Sequence, residues 1–216
     1  GHMAMEKPVL WYIADPMCSW CWGFAPVIEN IRQEYSAFLT VKIMPGGLRP
    51  GTNTPLLPEK RAQILHHWHS VHITTGQPFT FENALPEGFI YDTEPACRGV
   101  VSVSLIEPEK VFPFFAAIQR AFYVGQEDVA QLAILKKLAV DLGIPESRFT
   151  PVFQSDEAKQ RTLAGFQRVA QWGISGFPAL VVESGTDRYL ITTGYRPIEA
   201  LRQLLDTWLQ QHGVGS

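Results

Sequence analysis

The segment Val9-Leu10-Trp11-Tyr12-Ile13-Ala14-Asp15-Pro16-Met17-Cys18-Ser19-Trp20-Cys21-Trp22-Gly23-Phe24 joins a strand pattern to a helix pattern across a pair of cysteines. Its first six residues are β-rich and apolar on both parities, as in a strand buried on both faces. Asp15-Pro16 ends that run. Phe24, Val27, Ile28 and Ile31 then recur at helical spacing between Trp20 and Tyr35. Cys18 therefore falls at a helix start, where unpaired amides and the positive end of the dipole favour a thiolate. Cys21 lies one turn further in, within reach of the first sulfur. The spacing predicts a reversible disulfide, with Cys18 attacking and Cys21 resolving. Half of a zinc site is the competing reading, with coincidence the third. Structural zinc takes four ligands, Cys97 stands alone, and no histidine lies within ten residues of it.

Outward from this segment, a second strand over 39–44 ends at Pro45-Gly46-Gly47, and strand–helix–strand favours a parallel α/β unit. Helical patterns then dominate, over 59–72, 93–106, 109–123, 128–142 and 155–171. Asp92 or Thr93 is a candidate cap for the second of these, and Asp128 stands at the start of the fourth. Strand patterns return at 179–183 and 188–193, joined by Ser184-Gly185-Thr186-Asp187. Pro197 then opens a last amphipathic helix carrying Ile198, Leu201, Leu204, Leu205 and Trp208. The fold class is α/β. Two α/β pieces, 6–50 and 161–212, flank an all-helical insertion over 51–160, and Gly1-His2-Met3 reads as a cloning scar.

A second signal lies just before the third strand, in Gly173-Ile174-Ser175-Gly176-Phe177-Pro178. Proline belongs at the start or edge of a strand, and an X-Pro bond in a tight turn is where a cis peptide occurs. A cis bond here turns the amide and carbonyl of Phe177 outward to pair with an extended peptide; an ordinary trans turn is the plain alternative.

At these two places the chain resembles the thioredoxin superfamily, specifically its DsbA-like branch and the FrnE-like, protein-disulfide-isomerase subgroup within it. The resemblance rests on Asp15 to Phe24 and on Gly173 to Pro178. Ala121-Phe122, Gly125, Leu138-Ala139 and Gly143 are similar to that family's helical insertion. Asp92 to Arg98 resembles the start of an insertion helix that often carries histidine where Cys97 stands. The resemblance implies a thioredoxin-like core interrupted by helices, with Pro178 beside Cys18 and Cys21. It also implies thiol–disulfide exchange with protein or peptide substrates and no bound cofactor. Ser19, Trp20, Phe177 and Pro178 are then candidates for substrate contact. Two departures stand out. Tyr12 occupies the position where many relatives carry a buried acid that accepts the second cysteine's proton, and on spacing alone Asp15 substitutes poorly. Ser19-Trp20 replaces the Pro-His of strongly oxidising members, which predicts a more reducing couple.

Composition narrows the partners. Of 216 residues, 46% are hydrophobic and 18% charged, with a net charge of −3, so the chain folds, and it lacks the basic stripe of a nucleic-acid binder. No apolar run approaches the roughly 20 residues of a membrane helix. Three cysteines and no visible signal peptide favour the cytoplasm, with the periplasm as alternative if a signal had been removed. Expected partners are protein or peptide thiols and disulfides, with glutathione as a further candidate. Cys97 reads as an accessory thiol or a small buried one. His66, His67, His69 and His72 share a predicted helix. They read as an exposed face around an inward Trp68 rather than as a metal site, which would need ligands from elsewhere. Trp20 is expected exposed and Trp22 and Phe24 in the core; Gly46, Gly47 and Arg49 border the site on one reading, and turn chemistry explains the two glycines equally well. Two alternative functions remain: a glutathione-dependent isomerase or transferase of the same architecture, and a non-catalytic protein-binding adaptor.

Overall fold

The computed structural model describes residues 6–215, so Gly1-His2-Met3 lies outside the described residues. Its sheet has four strands, β1 (Val9–Ala14), β2 (Thr40–Pro45), β3 (Ala179–Ser184) and β4 (Asp187–Thr193), in the order β2-β1-β3-β4. β1 runs parallel to β2 and antiparallel to β3, and β4 closes the other edge antiparallel to β3. The apolar run on both parities of β1 has its reason here. Leu10, Tyr12 and Ala14 face the large core, while Ile13 joins Met44, Val169, Ile174, Ala179 and Val181 on the opposite face. The chain therefore has the α/β architecture of a thioredoxin-like core with a helical insertion.

Among the described residues eight α-helices accompany the sheet: α1 (Ser19–Tyr35), α2 (Pro58–Thr75), α3 (Glu94–Ile106), α4 (Val111–Tyr123), α5 (Leu132–Asp141), α6 (Glu146–Phe153), α7 (Asp156–Gln171) and α8 (Ile198–Gln211). α1 follows β1 after a turn in which the Cys18 N–H donates to the Asp15 carbonyl at 3.0 Å. Its Gly23 lets α2 approach closely: a Cβ there would stand 2.8 Å from Val71 Cγ1 and 2.9 Å from Thr75 Cγ2. The inserted helices share one apolar cluster with the sheet. Trp68, Phe114, Phe122, Tyr123 and Phe149 belong to the same buried group as Leu10, Tyr12, Trp22 and Phe24.

The helices depart from the sequence pattern in two places. Asp128 caps a turn rather than a helix, its carboxylate accepting from Ala130 N at 3.1 Å, and α5 begins only at Leu132. α6 has no counterpart among the expected helices. It is eight residues long, contains Pro151 and buries only Phe149 and Phe153, too little for a periodic signal.

Candidate active site

Ser19 is the first residue of α1, and Cys18 is its N-cap, extended at φ −92° and ψ 122° and without a side-chain cap. That geometry puts one thiol over the open helix end and the other inside the first turn. Both cysteines carry free thiols; Cys18 is 6% exposed and Cys21 fully buried. Across from them, the Phe177–Pro178 peptide is cis. The Cys18 thiol faces the Phe177 carbonyl, with Sγ 3.7 Å from the oxygen. The sequence signals at 18–21 and 173–178 thus meet at a single place.

The surrounding residues fall partly where the sequence pattern puts them. Trp22 and Phe24 are core, with Trp22 Nε1 donating to Pro78 O at 2.8 Å. Gly46 borders the site, and the Phe177 ring lies where its side chain would be, 2.2 Å from a Cβ built there. Gly47, at φ +76°, packs under Phe166 in the same way. Arg49 is held to Tyr91 by an Nε bond of 3.2 Å to its carbonyl. Trp20 is a correction: it is half-buried, because Tyr195 packs on it with ring centroids 5.6 Å apart. Ser19 stays partly exposed beside it, and Pro178 is buried. The histidines do not converge. His69 stacks on Phe81 at 3.9 Å, His72 Nδ1 pairs with the Gln77 carbonyl, and Trp68 points inward. Among the described residues no group of three or more His, Cys, Asp and Glu is placed to hold a metal.

Behind the thiols lies a buried polar layer that sequence spacing misses. Asp15 is fully buried, and its carboxylate accepts from Met17 N and Leu48 N, each at 2.8 Å. The thiol of Cys97, also fully buried, points at the same carboxylate, 3.4 Å from Oδ2. Burial pushes the Asp15 carboxyl up from the usual carboxylate range, against the pull of these donors. Burial likewise raises the Cys21 thiol well above the ordinary thiol range, reinforced by the neighbouring Cys18 thiol. Tyr12, where the resemblance implies an acid, sets its hydroxyl against Cys21 without meeting hydrogen-bond geometry. Tyr91 donates to Met17 O, and Tyr123 stacks on Trp22 at 6.2 Å. Burial raises all three tyrosines, so they remain protonated.

Comparison with known proteins agrees with this architecture. A family model described as the DSBA-like thioredoxin domain matches residues 10–206. A solved chain from Nitrosomonas europaea, named as a candidate protein disulfide isomerase, is 98% identical, with a TM-score of 0.93 over 96% of this chain and 100% of that one. The cytosolic disulfide reductase DsbM from Pseudomonas aeruginosa shares the fold at 24% identity, with a TM-score of 0.77 over 94% of this chain and 99% of that one. Among curated proteins, the ClpXP adapter protein SpxH of Halalkalibacterium halodurans is 20% identical over 94% of this chain and 69% of its own length. Its Bacillus subtilis counterpart is also 20% identical, over 83% of this chain and 60% of its own length. Among the described residues no helix is long and apolar enough to cross a membrane. Matched by the family model from the first strand into the last helix, the chain belongs to the DSBA-like thioredoxin domain family, a family of thiol–disulfide oxidoreductases.

Proposed function

We propose that the chain exchanges disulfides with protein or peptide thiols through Cys18 and Cys21. The observation that carries this reading is the meeting of a barely exposed thiol, a fully buried partner one turn away and the Phe177 carbonyl 3.7 Å from the first sulfur. Cys18 attacks a substrate disulfide, one substrate sulfur leaves as a thiolate, and Cys21 then displaces the other from the mixed disulfide. Phe177, Pro178, Ser19 and Trp20 form the contact surface. Cys21→Ser is expected to stop the cycle halfway. Incubated with a disulfide-bearing peptide, that variant accumulates a covalent adduct visible by intact mass, whereas Cys18→Ser,Cys21→Ser does not. Equal recovery of adduct from both variants overturns the assignment.

The couple is read as reducing or isomerising rather than strongly oxidising. The group that faces Sγ across the site is a carbonyl oxygen, which accepts and cannot donate. The buried carboxylate of Asp15 adds negative charge on the Cys21 side, and no histidine stands between the cysteines. Strong oxidants of this kind depend on groups that stabilise the ionised reduced form, and a carbonyl oxygen, a carboxylate and a missing histidine are not such groups. The expected reduction potential lies far below the roughly −120 mV of strong oxidants, toward the roughly −270 mV of thioredoxin. Equilibration with glutathione, followed by tryptophan fluorescence, measures it; a value near the upper figure refutes the reading. A reducing couple fits the cytoplasm, and glutathione is the natural small-thiol partner, since DsbM has been solved with GSH.

A second reading is favoured by the curated relatives, which are ClpXP adapter proteins. On that reading the same surface binds a partner without chemistry. Partner binding undiminished in Cys18→Ser,Cys21→Ser, together with absent exchange by the wild type, would establish it in place of the first.

A further inference from the structure

We propose that Arg49 holds a carboxylate of the substrate, so that carboxylate-bearing disulfides are the preferred class, an inference that rests on Cys18 and Cys21 being the redox pair. The arginine is fixed from three sides. Leu48 N, one residue earlier, donates to the Asp15 carboxylate at 2.8 Å. Arg49 N donates to Thr93 Oγ1 at 3.0 Å, and its side-chain Nε donates to the Tyr91 carbonyl at 3.2 Å. The guanidinium carbon lies 5.5 Å from the centre of the Tyr91 ring, and the hydroxyl of that ring donates to the carbonyl of Met17, the residue before Cys18. A single aromatic side chain therefore joins the guanidinium to the peptide that leads into the attacking thiol.

What this arginine lacks is an anion. A guanidinium carries five N–H donors, and the one on Nε is taken by Tyr91. Among the described residues the four on its two terminal nitrogens have no hydrogen-bond partner, and no carboxylate forms an ion pair with it. The acids on the segment that faces it are engaged elsewhere. Asp92 Oδ1 accepts from Gly51 N at 2.9 Å and from Glu94 N at 3.0 Å, and Glu94 pairs with Arg98 at 2.8 Å. Asp15 spends its oxygens on Met17 N, Leu48 N and the Cys97 thiol. The side chain is thus held in place, half-buried and uncompensated at the border of the site.

A carboxylate brought to the free edge of that guanidinium meets two parallel N–H donors, one from each terminal nitrogen. Half-burial screens the pair less than an open surface would. With a net charge of −3 the chain as a whole does not draw acids in, so a local cation has to supply the preference. Arg49 takes no part in the exchange of sulfurs; it binds the molecule that Cys18 attacks. Because Tyr91 ties it to the peptide before Cys18, the carboxylate belongs close to the substrate sulfur: on a residue near the cysteine of a peptide, or on glutathione itself. Leu48 and Ile90, on the two segments that carry Arg49 and Tyr91, are exposed and offer apolar contact beside it.

Three peptides test this, each with one cysteine in a mixed disulfide with 2-mercaptoethanol and flanked on both sides by Glu, by Gln or by Lys. Oxidised glutathione and its ethyl ester form a second set. Reduced protein cleaves each in a single turnover, and mass spectrometry reads the second-order rate. Dividing the wild-type rate by that of Arg49→Gln removes each substrate's intrinsic reactivity. The ratio is expected to be about tenfold for the Glu peptide, about one for Gln and below one for Lys, and the Glu ratio should fall as salt is added. A ratio that is high for glutathione and drops in its ester, with no difference among the peptides, gives the same site to the small thiol. Ratios near one for both the Glu peptide and glutathione overturn the proposal. Equal slowing of every substrate marks Arg49 as merely structural and overturns it too. Should Arg49→Gln fail to fold, Arg49→Lys decides: it keeps the charge and loses the fork, so the Glu peptide or glutathione must slow about threefold relative to its uncharged counterpart. No such change overturns the proposal as well. A wild type that cleaves none of the disulfides sinks the redox-pair reading itself, an outcome distinct from all of these.

Discussion

Cys18→Ser is expected to reduce thiol–disulfide exchange to the uncatalysed background while leaving the protein folded. The substitution changes one atom at a position that is 6% exposed, and a serine hydroxyl can still donate toward the Phe177 carbonyl. The fold should therefore lose no more than about 1 kcal/mol, the scale of a single neutral hydrogen bond. Chemistry loses far more, because an oxygen cannot carry the sulfur–sulfur intermediate on which both halves of the reaction depend. Cys21 does not rescue the variant: it is fully buried and its thiol is held protonated, so a substrate disulfide cannot approach it. Reduction of a peptide disulfide, followed alongside a thermal melt, checks both parts. Near-normal turnover by Cys18→Ser would show that Cys21 or another group carries the reaction.

The residues this prediction uses are legible in the sequence because their signals are local. A β-rich run broken by Asp15-Pro16, a cysteine pair at helical spacing and a proline ahead of a strand each need only a few neighbours to be read. The layer behind them needs the whole fold. On spacing alone Asp15 stands too close to Cys18 to serve as a buried acid, and its burial comes from Leu48, Thr93 and Cys97, which long chain segments bring to it. Tyr91 and Tyr123 come to the back of the site, on Met17 O and against Trp22, from the inserted helices and their approaches, and nothing in their own surroundings in the sequence marks them. The burial of Trp20 is hidden for the same reason: the ring that covers it, Tyr195, arrives from beyond β4.

Trp68→Ala is expected to destabilise the fold severely, costing about 3–5 kcal/mol. Trp68 is 2% exposed and anchors α2, an otherwise weakly apolar helix whose other buried residue is Val71. Its indole packs against Phe79 and Phe122, each at 5.6 Å, and against Tyr123 at 5.0 Å. Removing it leaves a large void, and each aromatic pairing that disappears with it adds about 0.5–1.5 kcal/mol beyond the area exposed. For a chain of this size about 1 kcal/mol shifts the melting temperature by about 2–4 °C, so a fall of about 6–20 °C is expected by calorimetry. His67→Ala, on the exposed face of the same helix, is the control and should change stability by less than about 0.5 kcal/mol. The damage should also reach the site. Tyr123 lies parallel to Trp22, and Trp22 adjoins Cys21, so the ring that loses Trp68 is the ring that backs the first turn of α1. Resolution by Cys21 should therefore slow in Trp68→Ala even well below its melting temperature, while the attack by Cys18 at the helix end is less affected. A variant that loses stability but resolves at the wild-type rate would show that the inserted helices support the fold without positioning the second thiol.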